Sequence, residues 1–134
     1  MRFQRAEYPA LLSGHEAARR FFSSCFRSDV DARERLWVAH VDEAARCLHV
    51  EHYEGEPESV VVPVREILLD AARYGSSGVV LAHNHPTGDA RPSNADCTAT
   101  RKLARAAEAF DVTILDHLIF AGGNCSSMRR MGLL

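Results

Sequence analysis

The chain has 134 residues, 46% apolar and 25% charged, which suits one soluble domain (1–134) closing a single hydrophobic core. Its net charge of -2 and pI of about 6.4 exclude a global basic field for nucleic acid or anionic lipid. The cysteines, Cys25, Cys47, Cys97 and Cys125, lack C-x-x-C spacing, and no apolar run reaches membrane-spanning or signal-peptide form, so a reduced cytoplasmic protein without a zinc ribbon is expected.

From Ser13 to about Phe26, "SGHEAARRFFSSCF" predicts an amphipathic helix capped by Ser13. "RLWVAHV" (35–41) and "RCLHVEHYE" (46–54) read as strands joined by "DEAA" into an antiparallel hairpin. Alternation in the second strand points Cys47, His49, Glu51 and Tyr53 to one side. "ESVVVP" is a short strand or extended link. "PVREILLDAARYG" follows as a helix, with Pro63 at its start, Gly75 past its end, and Ile67, Leu68 and Ala71 as its buried stripe. "SGVVLAH" (77–83) is a continuous apolar run, as expected of a central strand covered on both faces. After a loop at 84–92, "SNADCTATRKLARAAEAF" predicts a helix, and "VTILDHLIFAGG" (112–123) a strand ended by a glycine pair. "MRRMGLL" reads as an uninformative tail. The order α-β-β-α-β-α-β indicates an α/β fold, a mixed β-sheet flanked by helices.

The chemistry concentrates in "LAHNHPTGDARPSNAD". Residues two apart on a strand point the same way, so His83 and His85 converge if extension continues through Asn84. A third ligand is available in Asp96, in the first turn of the following helix, and Gly88, Pro86 and Pro92 shape the intervening loop. Two histidines and a carboxylate, with a fourth position for water, make the ligand set of a catalytic zinc site. "SNAD" also spells a capping box, Ser93 capping the helix and Asp96 at its third position, and an isolated His-x-His pair often decorates a solvated strand end.

The pattern His-x-His-Pro, seven residues from His85 to Ser93, then Ser-x-x-Asp resembles the signature of JAMM (MPN+) metallopeptidases. The wording "LAHNHPTG…PSNAD…LDHLIFAGG" is similar to the RadC family over about residues 30–123. The resemblance implies a cytidine-deaminase-like JAB/MPN fold, Zn2+ held by His83, His85 and Asp96, and Ser93 stabilising an oxyanion. It also implies an upstream glutamate at the start of a strand beside the zinc strand. Glu34, immediately before "RLWVAHV", matches that position, with Glu51 in reserve and Glu66 a helix-surface residue. Asp116 and His117, a polar pair inside an apolar run, need hydrogen bonds and are expected to support the structure or the ligands. His15, His40, His49 and His52 are expected to be surface or strand residues.

A zinc nucleoside deaminase would need His-x-Glu and Pro-Cys-x-x-Cys, which are missing. Two other classes compete: a non-catalytic interaction module and a DNA-associated role. Degenerate MPN domains lose the ligands that are present here, and the sequence is too short for the helix-hairpin-helix region of longer RadC-like proteins. The expectation is a zinc-dependent hydrolase acting on a peptide or isopeptide bond. Its partner is a protein or peptide, with little DNA binding despite Arg101, Lys102, Arg105, Arg129 and Arg130.

Overall fold

Five strands and three helices are arranged along the chain in a computed structural model that describes residues 10–26, 33–55 and 62–134. They are α1 (His15–Phe26), β1 (Arg35–Val41), β2 (Cys47–Glu54), α2 (Val64–Tyr74), β3 (Gly78–Asn84), α3 (Asn94–Glu108), β4 (Thr113–Ala121) and β5 (Asn124–Ser127). The sheet runs β2-β1-β3-β4-β5, with β3 and β4 parallel and the other neighbours antiparallel. This is the mixed α/β architecture expected from the element order.

The sheet sorts its side chains by parity. Leu36, Val38, Val79 and Leu81 face α2 and α3, where Ile67, Leu68, Ala71, Leu103 and Ala107 complete one core. Trp37, Ala39, Val41, Val80 and Ala82 face α1 and pack on Ala18 and Phe22. The third strand lies at the centre with both faces covered, which is why its sequence is apolar without alternation. Helix α2 ends where Gly75 adopts the left-handed conformation (φ 66°), its N–H reaching back to Ala71 and Ala72 carbonyls. In the β1–β2 turn, Asp42 Oδ1 accepts the N–H groups of Ala44 and Arg46, each at 2.9 Å.

Four expectations change. A register shift at His40/Val41 turns Cys47 to the α1 face with Val41, while Tyr53 packs on the α2/α3 side. Gly14, not Ser13, holds the cap position of α1: its carbonyl accepts the Ala18 N–H, and its φ of 87° admits glycine readily. The glycine pair ends β4 as expected, but the sheet continues beyond it. Gly122 (φ 58°) turns the chain into a hairpin and adds β5, pairing Ala121 with Asn124. Nor is the C-terminal segment idle, since Met128 is fully buried against Cys97 and Ile119. Most of "ESVVVP" lies outside the described residues, and only Val62 and Pro63 are seen leading into α2.

Candidate metal centre

The carboxyl end of β3 delivers His83, fully buried, onto the face covered by α2 and α3. Extension continues one step further, because the His85 N–H donates to the Phe120 carbonyl at 2.9 Å. Both imidazoles therefore turn to one side, with ring centroids 4.7 Å apart. The loop then folds back under His85, with Gly88 at φ 91° and the Asp89 carbonyl 2.8 Å from His85 Nδ1. That contact places a proton on Nδ1 and turns Nε2 toward the site, where in the metal-free protein it donates to Asp96 Oδ2, the proton a metal would displace.

Helix α3 starts against the two rings. Ser93 and Asp96 form a reciprocal capping box: Ser93 Oγ accepts the Asp96 N–H (3.0 Å) and Asp96 Oδ2 accepts the Ser93 N–H (2.8 Å). The same carboxylate faces both histidines, with Oδ2 3.1 Å from His85 Nε2 and Oδ1 3.5 Å from His83 Nε2. Helix capping and presentation to the imidazoles are thus simultaneous.

Glu34 arrives from β1. Because Leu36 pairs with His83, the residue two places earlier lies beside His85, and one ligand atom each from Glu34, His83 and His85 fall within 4.8 Å of one another. Asn84 holds this alignment. Its Oδ1 accepts the Arg35 N–H (2.7 Å) and its Nδ2 donates to the Arg33 carbonyl (3.0 Å), gripping the backbone on both sides of Glu34. Glu51 does not reach the histidines: it pairs opposite Val38, and its carboxylate meets His49 at 2.9 Å. Glu66 is exposed on α2.

Behind His83 runs a buried chain of hydrogen bonds. Thr100 Oγ1 donates to the Asp96 carbonyl (2.7 Å), so its oxygen accepts from His117 Nδ1 (2.7 Å). His117 Nε2 is then bare and accepts from His83 Nδ1 (2.7 Å). This proton order leaves His83 Nε2 with its lone pair exposed to the site. Asp116, the other member of the polar pair, bonds instead to β5 and the C-terminal turn. It accepts from the His117 and Arg129 N–H groups and the Ser127 hydroxyl, tying β5 and the C-terminal turn to β4.

Electrostatics follow burial. Desolvation lowers the His83 pKa to about 4, against the pull of Asp96, and lowers His117 well below the usual imidazole value. His85 moves up, chiefly through its hydrogen bond to Asp96. Burial opposes ionisation of Asp96, but the His85 hydrogen bond, the His83 ring and Ser93 outweigh it and hold the carboxyl well below its ordinary range. Glu34 is raised by burial, with His85 opposing and Asp96 reinforcing the shift.

Whether these residues suit a metal is tested by His83 Nε2, a buried nitrogen with no hydrogen-bond partner. A bare lone pair in that position is costly unless something electrophilic satisfies it. Two imidazoles and a carboxylate form a donor set for a borderline divalent ion such as zinc. The residues fit. Asn84 and Thr100 escaped the sequence reading. The signals were a polar spacer between the histidines and a hydroxyl four residues, one helical turn, after Asp96.

A family model described as the RadC-like JAB domain matches residues 12–133. A UPF0758 protein of Aliivibrio fischeri and another of Aliivibrio salmonicida are each 31% identical over 131 residues, covering 97% of this chain. The chain spans 58% of the length of these two relatives.

Proposed function

The chain belongs to the RadC-like JAB domain family, and we propose that it is a zinc-dependent hydrolase that cleaves a peptide or isopeptide bond. The observation that carries this reading is the buried carboxylate of Glu34 set within 4.8 Å of the ligand atoms of His83 and His85. His83, His85 and Asp96 would hold the metal, which when bound supplies a water of pKa about 7 and polarises a carbonyl. Glu34, its pKa raised by burial, would be the carboxylate that accepts a proton from the attacking water and passes it to the leaving amine. Ser93 accepts the Asp96 N–H at its oxygen and keeps its own proton to donate to the developing oxyanion. His117 and Thr100 keep His83 in the ligand tautomer. The partner on this reading is a protein or peptide, and the chain by itself holds DNA weakly.

The test is metal analysis of the purified protein joined to a screen of peptide and isopeptide conjugates. Near-stoichiometric zinc at the three-ligand site, and cleavage abolished by chelation or by Asp96→Ala, are expected. Absence of metal, or a zinc-loaded protein inert across both substrate classes that binds DNA tightly at physiological salt, would overturn the proposal.

A further inference from the structure

The α2/α3 face of the sheet carries a second group of metal-binding side chains, remote from His83. His40 pairs with Val79 along β3, whereas His83 pairs with Leu36, so the two histidines stand four residues apart along the sheet. At about 3.3 Å per residue this is roughly 13 Å. On the adjoining edge strand, His49 lies opposite His40 and Glu51 opposite Val38, and Asp70 reaches over from α2. One ligand atom each from His49, Glu51 and Asp70 lie within 4.8 Å of one another.

We propose that His40, His49, Glu51 and Asp70 form a second binding site for a divalent transition-metal ion of the zinc or cobalt type. The acidic groups alone would be an ordinary surface cluster. His40 changes that. Its side chain is fully buried, Nδ1 is engaged with Ser76 Oγ at 3.0 Å, and Nε2 has no hydrogen-bond partner. The three groups whose charges act on its ring are Asp70, His49 and Glu51, the members of the cluster. Burial lowers the His40 pKa to about 4, so at neutral pH it is the uncharged imidazole that a metal requires. In the tautomer that donates Nδ1–H to Ser76 Oγ, Nε2 presents the lone pair a metal would take.

Two imidazoles and two carboxylates make an N2O2 donor set suited to borderline divalent ions. Tetrahedral zinc with bonds of about 2.0–2.2 Å spaces its ligands about 3.3–3.6 Å apart, so His49, Glu51 and Asp70 need only a modest contraction, while His40, its ring centroid 6.0 Å from that of His49, must close in from the buried side. His49 is already oriented by stacking on Tyr74 (centroids 4.1 Å apart, planes 13° apart). His49, Glu51 and Asp70 are partly exposed, which leaves an entry path. A bound ion would clip the edge strand β2 to α2.

The site is tested with metal alone, without a substrate. Apo protein is titrated with Zn2+ and Co2+ by calorimetry and by the visible absorption of cobalt, in wild type, His83→Ala, His49→Ala, Asp70→Asn and His83→Ala/His49→Ala. Folding of each is checked by circular dichroism, and His52→Ala controls for adventitious imidazole binding. Wild type should bind two equivalents and His49→Ala one. Asp70→Asn, on the partly exposed side of α2, should weaken one of the two sites at least tenfold. His83→Ala should keep one equivalent, and added zinc should raise its Tm, an effect absent from the double variant. Stoichiometry and affinity unchanged by both His49→Ala and Asp70→Asn would overturn the proposal. One equivalent in wild type that survives His83→Ala and disappears in His49→Ala would support it while refuting the centre at His83.

Discussion

His83, a ligand on the proposed reading, shows how much of such a residue lies behind it. The proton order Thr100, His117, His83 is set by a hydroxyl whose only hydrogen goes to the Asp96 carbonyl. Thr100→Val keeps the shape and removes that acceptor, freeing the His83 tautomer. Zinc affinity should fall about 10–100-fold, read by competition with a chromophoric chelator. An unchanged affinity would mean the chain of bonds is only packing. Glu34→Gln should leave zinc content intact while turnover drops about 10²–10⁴-fold once a substrate is in hand. The raised pKa of Glu34 also has a stability sign. The folded, metal-free protein binds the Glu34 proton more tightly than the unfolded chain does. Stability from this group is full below the ordinary glutamate pKa and is lost as pH rises through the raised value. Metal-free Glu34→Gln should therefore melt above wild type at pH 7, and the gap should close on acidification below the usual carboxylate range. A Tm difference independent of pH would exclude this account.

Among the elements, legibility followed local signals. Gly75 marked the end of α2, the uninterrupted apolar run marked β3, and Ser-x-x-Asp marked the start of α3, because each rests on residues adjacent in sequence. Strand β5 was hidden because "NCSS" has no β-branched or aromatic residue and forms only by pairing with β4. The segment after it depends on Asp116, a contact more than ten residues away in sequence. In the site itself, the approach of the histidine pair and Asp96 was readable from spacing, whereas Glu34 was reached only through the family resemblance. Asn84 and Thr100 were not, since their roles need partners from β1 and β4. Asp116→Ala would strand the Ser127 hydroxyl and the Arg129 and His117 N–H groups. A loss of about 2–4 kcal/mol is expected in denaturant unfolding. Hydrogen exchange should speed up in residues 124–131 before the rest of the sheet. The disturbance should reach the loop after His85, because Ser126 Oγ donates to the Ala90 carbonyl, and also His117, whose carbonyl accepts the Met128 N–H.

On the scale of the whole molecule, the five basic residues singled out in the sequence come from two separate segments of the chain, 101–105 and 129–130. Arg101, Lys102 and Arg105 are exposed on α3, while the Arg129 guanidinium is spent on the Leu115 and Ile114 carbonyls. Duplex and single-stranded DNA should bind weakly, with a shallow dependence of log affinity on log salt, measured by fluorescence anisotropy. A steep slope, near -0.9 per phosphate for several phosphates, would show a basic face that this arrangement does not predict. Among the described residues no helix is long and apolar enough to cross a membrane. Asn84 makes the sheet check its own assembly. Glu34 is flanked by Arg33 and Arg35, and Asn84 grips the backbone of both. If β1 slips by one residue against β3, every side chain changes face and a guanidinium takes the place of the carboxylate beside the imidazoles. Such a misaligned chain repels the cation that the correct one attracts. Asn84→Ala should therefore lower the yield of metal-competent protein on refolding, measured as zinc per chain, more than it lowers the zinc affinity of the fraction that folds. Added zinc would act as a proofreader, rewarding the one alignment that places an acid between two arginines at the site.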